Sequence, residues 1–255
     1  MIFDTHAHYD DEAFDEDREE VFQEIREAGV GLVTNIGSTL ESAKESVRLS
    51  GQYDFIYAAV GVHPSEVEEL TEKDMEWLCE AAALEKVVAI GEIGLDYHYD
   101  EPSKELQKKW FLRQLEIAKE VSLPVCIHSR DAAADTLEFM RKAHADGIGG
   151  VIHCYSYGIE HAREYLDMGY YLGIGGVVTF KNGKKLKEVV AYAPLSQLVL
   201  ETDAPYLSPE PYRGKRNHSG RLPLVAEAIA ALKEMDVSEV IRVTTENAKR
   251  LYRLD

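Results

Sequence analysis

The sequence predicts a single (β/α)8 TIM barrel, and three observations carry that expectation. Apolar runs alternate with amphipathic stretches through the whole chain, and the runs restart at roughly 20 to 35 residues, the length of one strand-plus-helix step. The runs are short and continuously apolar, as strands of a parallel sheet buried on both faces must be. A length of 255 residues suits one such barrel, so the chain is expected to form one domain over 1–255. An open, doubly wound sheet stays as the alternative, because counting units does not prove closure.

The elements follow in order. "MIF" precedes the amphipathic "DREEVFQEIREAGV", "GLVTNIG" precedes "LESAKESVRLSGQ", and "FIYAAVGVHP" precedes "EKDMEWLCEAAA". "KVVAIGEIGLD" leads into the long helix around "SKELQKKWFLRQLEIAKEV", "LPVCIHSR" into "DAAADTLEFMRKAHA", and "GGVIHCYS" into "IEHAREYLDMG". "GYYLGIGGVVTF" comes before "KKLKEVVAYA". "LSQLVLETDAP" is the eighth strand candidate, followed by helices through "LPLVAEAIAALKEM" and "VSEVIRVTTENAKRLY". Neither a linker nor a low-complexity tract interrupts the series. The loop "APYLSPEPYRGKRNHSGR", rich in proline and basic residues, is the one compositional outlier.

Composition narrows the function. A hydrophobic share of 45% with 29% charged residues argues against disorder and against a fibrous repeat. The net charge of -18, from 28 Lys+Arg against 46 Asp+Glu, speaks against broad coating of a polyanion such as duplex DNA. A cleft that binds one or two phosphates through metal ions and a few local cations stays compatible with it. Cys79, Cys126 and Cys154 lack C-x-x-C spacing and fit buried thiols in a reducing compartment, so the cytoplasm is expected. No basic region followed by an apolar stretch opens the chain, and no run approaches a membrane span, so neither export nor membrane insertion is expected. A monomer without an obligate protein partner is the default.

The chemistry is concentrated at one end of the strands. His6 and His8 stand one residue apart in "FDTHAH", and in extended backbone residues i and i+2 face the same side. Taken alone the pair is weak, since histidine is common on surfaces. Partners decide it: Glu92, His128, His153 and Asp203 fall at the carboxyl ends of strands four, five, six and eight, where barrels of this kind build their sites. Imidazoles and carboxylates converging in a barrel mouth need partners to offset lost hydration, and metal ions are the simplest. This set exceeds what one tetrahedral ion requires, whereas two ions about 3.5 to 4 Å apart can share a bridging carboxylate. Glu92 is the candidate bridge.

Together "FDTHAH", "AIGEIGLDY", "IHSR", "IHCYS" and "LETDAPYLSP" closely resemble the TatD family of metal-dependent deoxyribonucleases, within the wider amidohydrolase-like superfamily. The resemblance implies a (β/α)8 barrel, two divalent ions and hydrolysis of DNA phosphodiesters. Carried over by motif, it implies that His6 and His8 hold one ion with Glu92 and Asp203, and that Glu92, His128 and His153 hold the other. Relatives often read "GKRNEP" where this chain has "GKRNHSG", so His218 and Ser219 depart from the pattern. With such ions in place, water is acidified and the charge developing on the leaving oxygen is stabilised. Asp203 is the candidate to orient and deprotonate that water, or is simply a ligand. A deep metal pocket favours an exonuclease acting on single-stranded ends, with RNA left open beside DNA and Mg, Mn or Zn as the metal. The alternatives are a hydrolase of small cyclic amides, esters or lactones and a metal-storing scaffold. Many amidases carry a carboxylated lysine at the bridge, and Glu92 in that place favours the nuclease.

Other residues are weaker candidates. His63 in "GVHP", Arg130 and Tyr206 are expected to bind substrate; His63 can equally satisfy a loop carbonyl, and Arg130 can pair with nearby carboxylates. Tyr97 and Tyr206 either stack on bases or are half-buried rim tyrosines. Lys181, Arg213 and His98 are weaker still. His144 and His161 read as surface histidines, and nothing is assigned to Cys79. Cys126 and Cys154 are expected to point away from the neighbouring histidines into the core.

Overall fold

In the computed structural model, residues 1–254 are described. The strands are β1 (Ile2–Ala7), β2 (Val30–Ile36), β3 (Ile56–Val60), β4 (Val87–Asp96), β5 (Val125–Arg130), β6 (Gly150–Ile152), β7 (Tyr171–Ile174) and β8 (Leu198–Leu200). Between them run α1 (Arg18–Glu27), α2 (Leu40–Gln52), α3 (Glu72–Ala81), α4 (Lys104–Glu120), α5 (Ala133–Lys142), α6 (Ile159–Asp167) and α7 (Lys184–Tyr192); α8 (Leu222–Lys233) and α9 (Val237–Leu251) end the chain. The 8-stranded sheet keeps sequence order, β1 through β8, and every neighbouring pair is parallel. Ala7 bridges to Ala204, and Asp203 and His8 backbone N–H groups donate to His6 O (2.9 Å) and Ala204 O (2.8 Å), so the first and last strands meet in a nearly closed barrel. This is the (β/α)8 TIM barrel expected, and the open sheet is excluded.

Helices start where hydroxyls can take the free amides of the first turn. Thr39 Oγ1 accepts from Ser42 N (3.0 Å) ahead of α2, and Ser103 Oγ from Leu106 N (3.4 Å) ahead of α4. The hydrophobic faces of these helices join the strands' outer faces in the larger buried layer, with Leu49, Leu78, Phe111 and Leu115 at full burial. A smaller cluster unites Phe3, Ile36, Ala59, Ala89, Cys126, Val151 and Val199, which places it inside the barrel. Ala248 and Leu251 of α9 complete it. Thr245 Oγ1 donates to Met1 O and Asn247 Nδ2 to Leu198 O, so α9 covers the amino-terminal ends of the strands and leaves the opposite mouth open.

Two glycines set strand geometry near that mouth. At Gly94 φ is +151°, and an added Cβ would lie 1.9 Å from the His128 carbonyl oxygen, so only glycine lets β4 lie this close to β5. At Gly176 an added Cβ would meet Leu207 O at 2.2 Å. There the structure departs from the expectation of one strand through "GYYLGIGGVVTF": β7 stops at Ile174 and Gly176–Thr179 coils into a short 3-10 turn, because the loop after β8 packs on this point. Among the described residues no helix is long and apolar enough to cross a membrane.

Candidate metal centre

The mouth gathers six side chains from five strand ends. His6 lies within β1 and His8 just beyond it; Glu92 projects from β4, His128 from β5, His153 follows β6, and Asp203 follows β8. Asp203 has φ of +57°, a left-handed conformation that departs from the strand's alternation at the point where its carboxylate meets the histidines. The two oxygens of Glu92 face different partners. Its Oε2 stands 3.5 Å from His6 Nε2 and 3.9 Å from His8 Nε2, while its Oε1 lies 2.8 Å from His128 Nδ1, 3.8 Å from His153 Nε2 and 4.0 Å from His63 Nε2. Asp203 Oδ1 lies 3.4 Å from His8 Nε2, 3.7 Å from His153 Nε2 and 3.8 Å from His6 Nε2.

The donor set fits divalent cations on one observation above all. His8 Nδ1 donates to Ile36 O (2.9 Å), His153 Nδ1 faces Glu201 Oε2 (3.2 Å), and His6 Nδ1 contacts Cys126 Sγ (3.2 Å). With Nδ1 of His6 and His8 bonded behind the ring and that of His153 turned toward Glu201, the Nε2 atoms are aimed at one another, and those of His6 and His8 stand only 3.1 Å apart. Two facing imidazole lone pairs repel unless a proton or a cation lies between them. Electrostatics says the same. His8 is pushed up to about 9: burial alone would lower it, but the Asp203 carboxylate and Glu92 outweigh that. Burial would also lower His153, yet Glu201 and Glu92 push it up to about 10. Glu92 is held well below the usual carboxylate range, burial opposing and the His153 and His6 charges prevailing; Asp203 is lowered in the same way, by His8 and His153 against burial. His63 goes the other way, down to about 3, through burial and the neighbouring His128. Among the described residues, His6, His8 and Asp203 form one group able to hold an ion, and His63, Glu92 and His128 form another.

A family model described as TatD related DNase matches residues 3–253. The chain belongs to the TatD family. The YabD protein of Bacillus subtilis, described as an uncharacterized metal-dependent hydrolase, is 47% identical over 255 residues, covering 100% of both chains. A Rahnella protein named 3'-5' ssDNA/RNA exonuclease TatD is 32% identical over 247 residues, covering 94% of each. The crystal structure of the TatD homologue YjjV from Escherichia coli K12 superposes with a TM-score of 0.94 at 31% identity, covering 100% of this chain and 98% of that one. This TatD-family chain is accordingly a metal-dependent hydrolase.

Most sequence candidates line one cavity of about 400 Å³: His8, His63, Glu92, His128, Arg130, His153, Asp203 and Tyr206 all border it. His6 lies fully buried directly behind. Tyr97 does not border it; its hydroxyl donates to Asp135 (2.7 Å), and Tyr99 occupies the rim instead. His98 faces Asp131 at 3.5 Å, away from the cavity.

Three carboxylates of this TatD-family site were not singled out from the sequence. Asp96 Oδ2 stands 3.1 Å from His128 Nε2, and Glu201 backs His153 while its Oε1 accepts from Cys154 N (2.6 Å). For Asp96 the signal was available: it is four residues after Glu92 on one strand, so alternation predicts a shared face. Asp4 lies deeper, two residues before His6. It accepts from His6 N (3.2 Å), Thr202 N (3.0 Å), Thr202 Oγ1 (2.6 Å) and Ser219 Oγ (2.6 Å), and burial pushes it up to about 7 against those bonds. The "HSG" departure thus has a structural consequence, because Ser219 ties the loop after β8 to the base of the His6 backbone.

The cysteine expectations need correction. Cys126 packs in the buried cluster inside the barrel as expected, but it sits two residues before His128, hence on the same face, and its sulfur lies against His6 rather than away from the histidines. Cys154 takes φ of +44°, which breaks the strand's alternation; its sulfur groups with His153 and Asp203.

Proposed function

We propose that the chain hydrolyses phosphodiester bonds in DNA, as an exonuclease that admits one single-stranded end to the barrel mouth. The observation that carries this reading is the two-sided placement of Glu92, one carboxylate oxygen toward His6 and His8 and the other toward His128 and His153. On this reading His6, His8, Glu92 and Asp203 hold one divalent ion and Glu92, His128 and His153 hold the other, with Mg, Mn or Zn as candidates. Bound ions would supply Lewis-acid polarisation of the phosphoryl oxygen and acidify the attacking water.

The chain's own residues do the rest. Asp203, ionised at neutral pH, orients that water and accepts its proton. Glu201 and the Ile36 carbonyl hold the His153 and His8 rings in place. His63, neutral at working pH, together with Arg130 and Tyr206 at the rim, contacts the substrate around the scissile phosphate. On this reading a cavity of about 400 Å³ receives a strand end rather than mid-duplex DNA. The Rahnella relative's name points to 3'-to-5' polarity and to RNA as a second substrate. The chain works as a soluble cytoplasmic monomer on this reading.

The test incubates metal-stripped protein with end-labelled single- and double-stranded DNA, restoring Mg, Mn or Zn singly. Laddering from the 3' end of single strands is expected. Cleavage at equal rates with and without chelator would overturn the reading, and turnover of lactones without any of DNA would favour the amidohydrolase alternative.

A further inference from the structure

Beside the mouth lies a second cavity, of about 580 Å³, bordered by Phe180, Tyr206, Leu207, Arg213 and Lys215. It shares Tyr206 and Asp11 with the candidate centre's cavity. The Tyr206 hydroxyl donates to Asp11 Oδ2 (2.9 Å), so this bonded pair forms a ridge that borders both cavities. The chain carries a net charge of -18, and the mouth's own rim is acidic at Asp10, Asp11 and Glu66.

Against that background the cations here stand out. Among the described residues neither Arg213 nor Lys215 has a carboxylate within ion-pair distance, whereas Arg216 beside them is paired with Asp17. The Arg213 guanidinium lies 4.3 Å over the Phe180 ring, and the Lys215 ammonium 6.0 Å from the Tyr212 ring. Tyr206 is 54% exposed and Tyr212 40%. Two unpaired cations beside an exposed ring that borders the groove, Tyr206, suit an anionic backbone that carries flat bases, because a ring stacks on a base while cations take phosphates.

We infer that this groove is a strand-binding subsite: a single-stranded polynucleotide crosses the Tyr206 ridge from the candidate centre, with Arg213 and Lys215 on its phosphates and Tyr206 stacked on a base. The inference rests on the nuclease reading of the adjoining site and extends it to the nucleotides beyond the scissile bond. It also accounts for the basic, proline-rich loop, whose function the centre itself leaves open.

The experiment measures binding of fluorescein-labelled oligothymidylate to the full chain by anisotropy across a KCl series. Chelator is present, so that turnover is blocked and the groove dominates. For a single strand each phosphate contact adds about 0.7 to the slope of log affinity against log salt, so Arg213→Ala/Lys215→Ala should lower the slope by about 1.4 and the affinity about tenfold at low salt. Arg213→Lys, which keeps the charge, should retain the wild-type slope. A double variant with unchanged slope and affinity would overturn the subsite, and the nuclease reading would survive if the wild-type protein still ladders the same oligonucleotide. If the wild-type protein cleaves no phosphodiester under Mg, Mn or Zn, the nuclease reading falls; binding that still depends on Arg213 and Lys215 would uphold the groove as a polynucleotide site.

Discussion

Replacing Glu92 by glutamine tests the geometry of the centre without any metal present. The amide keeps the shape of the carboxylate and removes its charge. Glu92 Oε1 lies 3.8 Å from His153 Nε2, and Oε2 lies 3.9 Å from His8 Nε2. Unit charges about 4 Å apart at an effective dielectric of about 20 interact by about 4 kcal/mol. At 1.36 kcal/mol per pKa unit that is about 3 units on each imidazole. His153, held up to about 10 by Glu201 and Glu92, and His8, held up to about 9 chiefly by Asp203 with Glu92 behind it, should therefore both titrate lower in Glu92→Gln, by up to that amount. An imidazole nitrogen NMR titration in chelator reads both rings in both proteins. If His153 and His8 titrate alike with and without the carboxylate, Glu92 does not stand between them and the reasoning fails. The same variant should lose most of its bound metal, measured by mass spectrometry after dialysis.

Asp203→Asn should lower DNA hydrolysis by roughly 10²- to 10⁴-fold, the range for loss of a positioned base; full metal content with full turnover would remove Asp203 from that role. Ser219→Ala takes one of the donors from the buried Asp4 carboxyl, so urea unfolding should show a loss of about 1 to 3 kcal/mol, and an unchanged midpoint would mean that the Ser219–Asp4 contact carries no stability. Ion binding requires neutral imidazoles, and His8 and His153 hold protons up to about 9 and about 10. Metal affinity should therefore rise with pH toward those values, with protons released at pH 7; calorimetry in buffers of different ionisation enthalpy would show it, and identical heats would contradict it. The same raised values set the sign for the metal-free fold. Their stabilisation is complete below the ordinary histidine value of 6.5 and is lost as pH rises through about 9 and 10, so the melting temperature in chelator should fall over that window.

Much of this was legible in the sequence because barrel strands are short, buried on both faces and punctuated by helices of regular length. "LESAKESVRLSGQ" maps onto α2 (Leu40–Gln52) residue for residue. The ligand candidates were legible because each falls at a strand's carboxyl end, and strand order brings those ends to one rim. What the sequence hid depends on backbone geometry. Alternation should have flagged Cys126 with His128, yet it could not foresee that φ of +44° at Cys154 and +57° at Asp203 turn consecutive strand-end residues to one side. Nor does periodicity show that Gly176 admits the loop after β8 and ends β7 early. Ser219 reaches Asp4 across a separation of 215 residues, and nothing local announces that contact.

Anomalous diffraction from crystals of the protein grown with manganese is the most direct test of a two-ion centre divided by Glu92. Two peaks are predicted, one on the Oε2 side among His6, His8 and Asp203 and one on the Oε1 side toward His128 and His153. A single peak, or manganese bound anywhere but against Glu92, would contradict it.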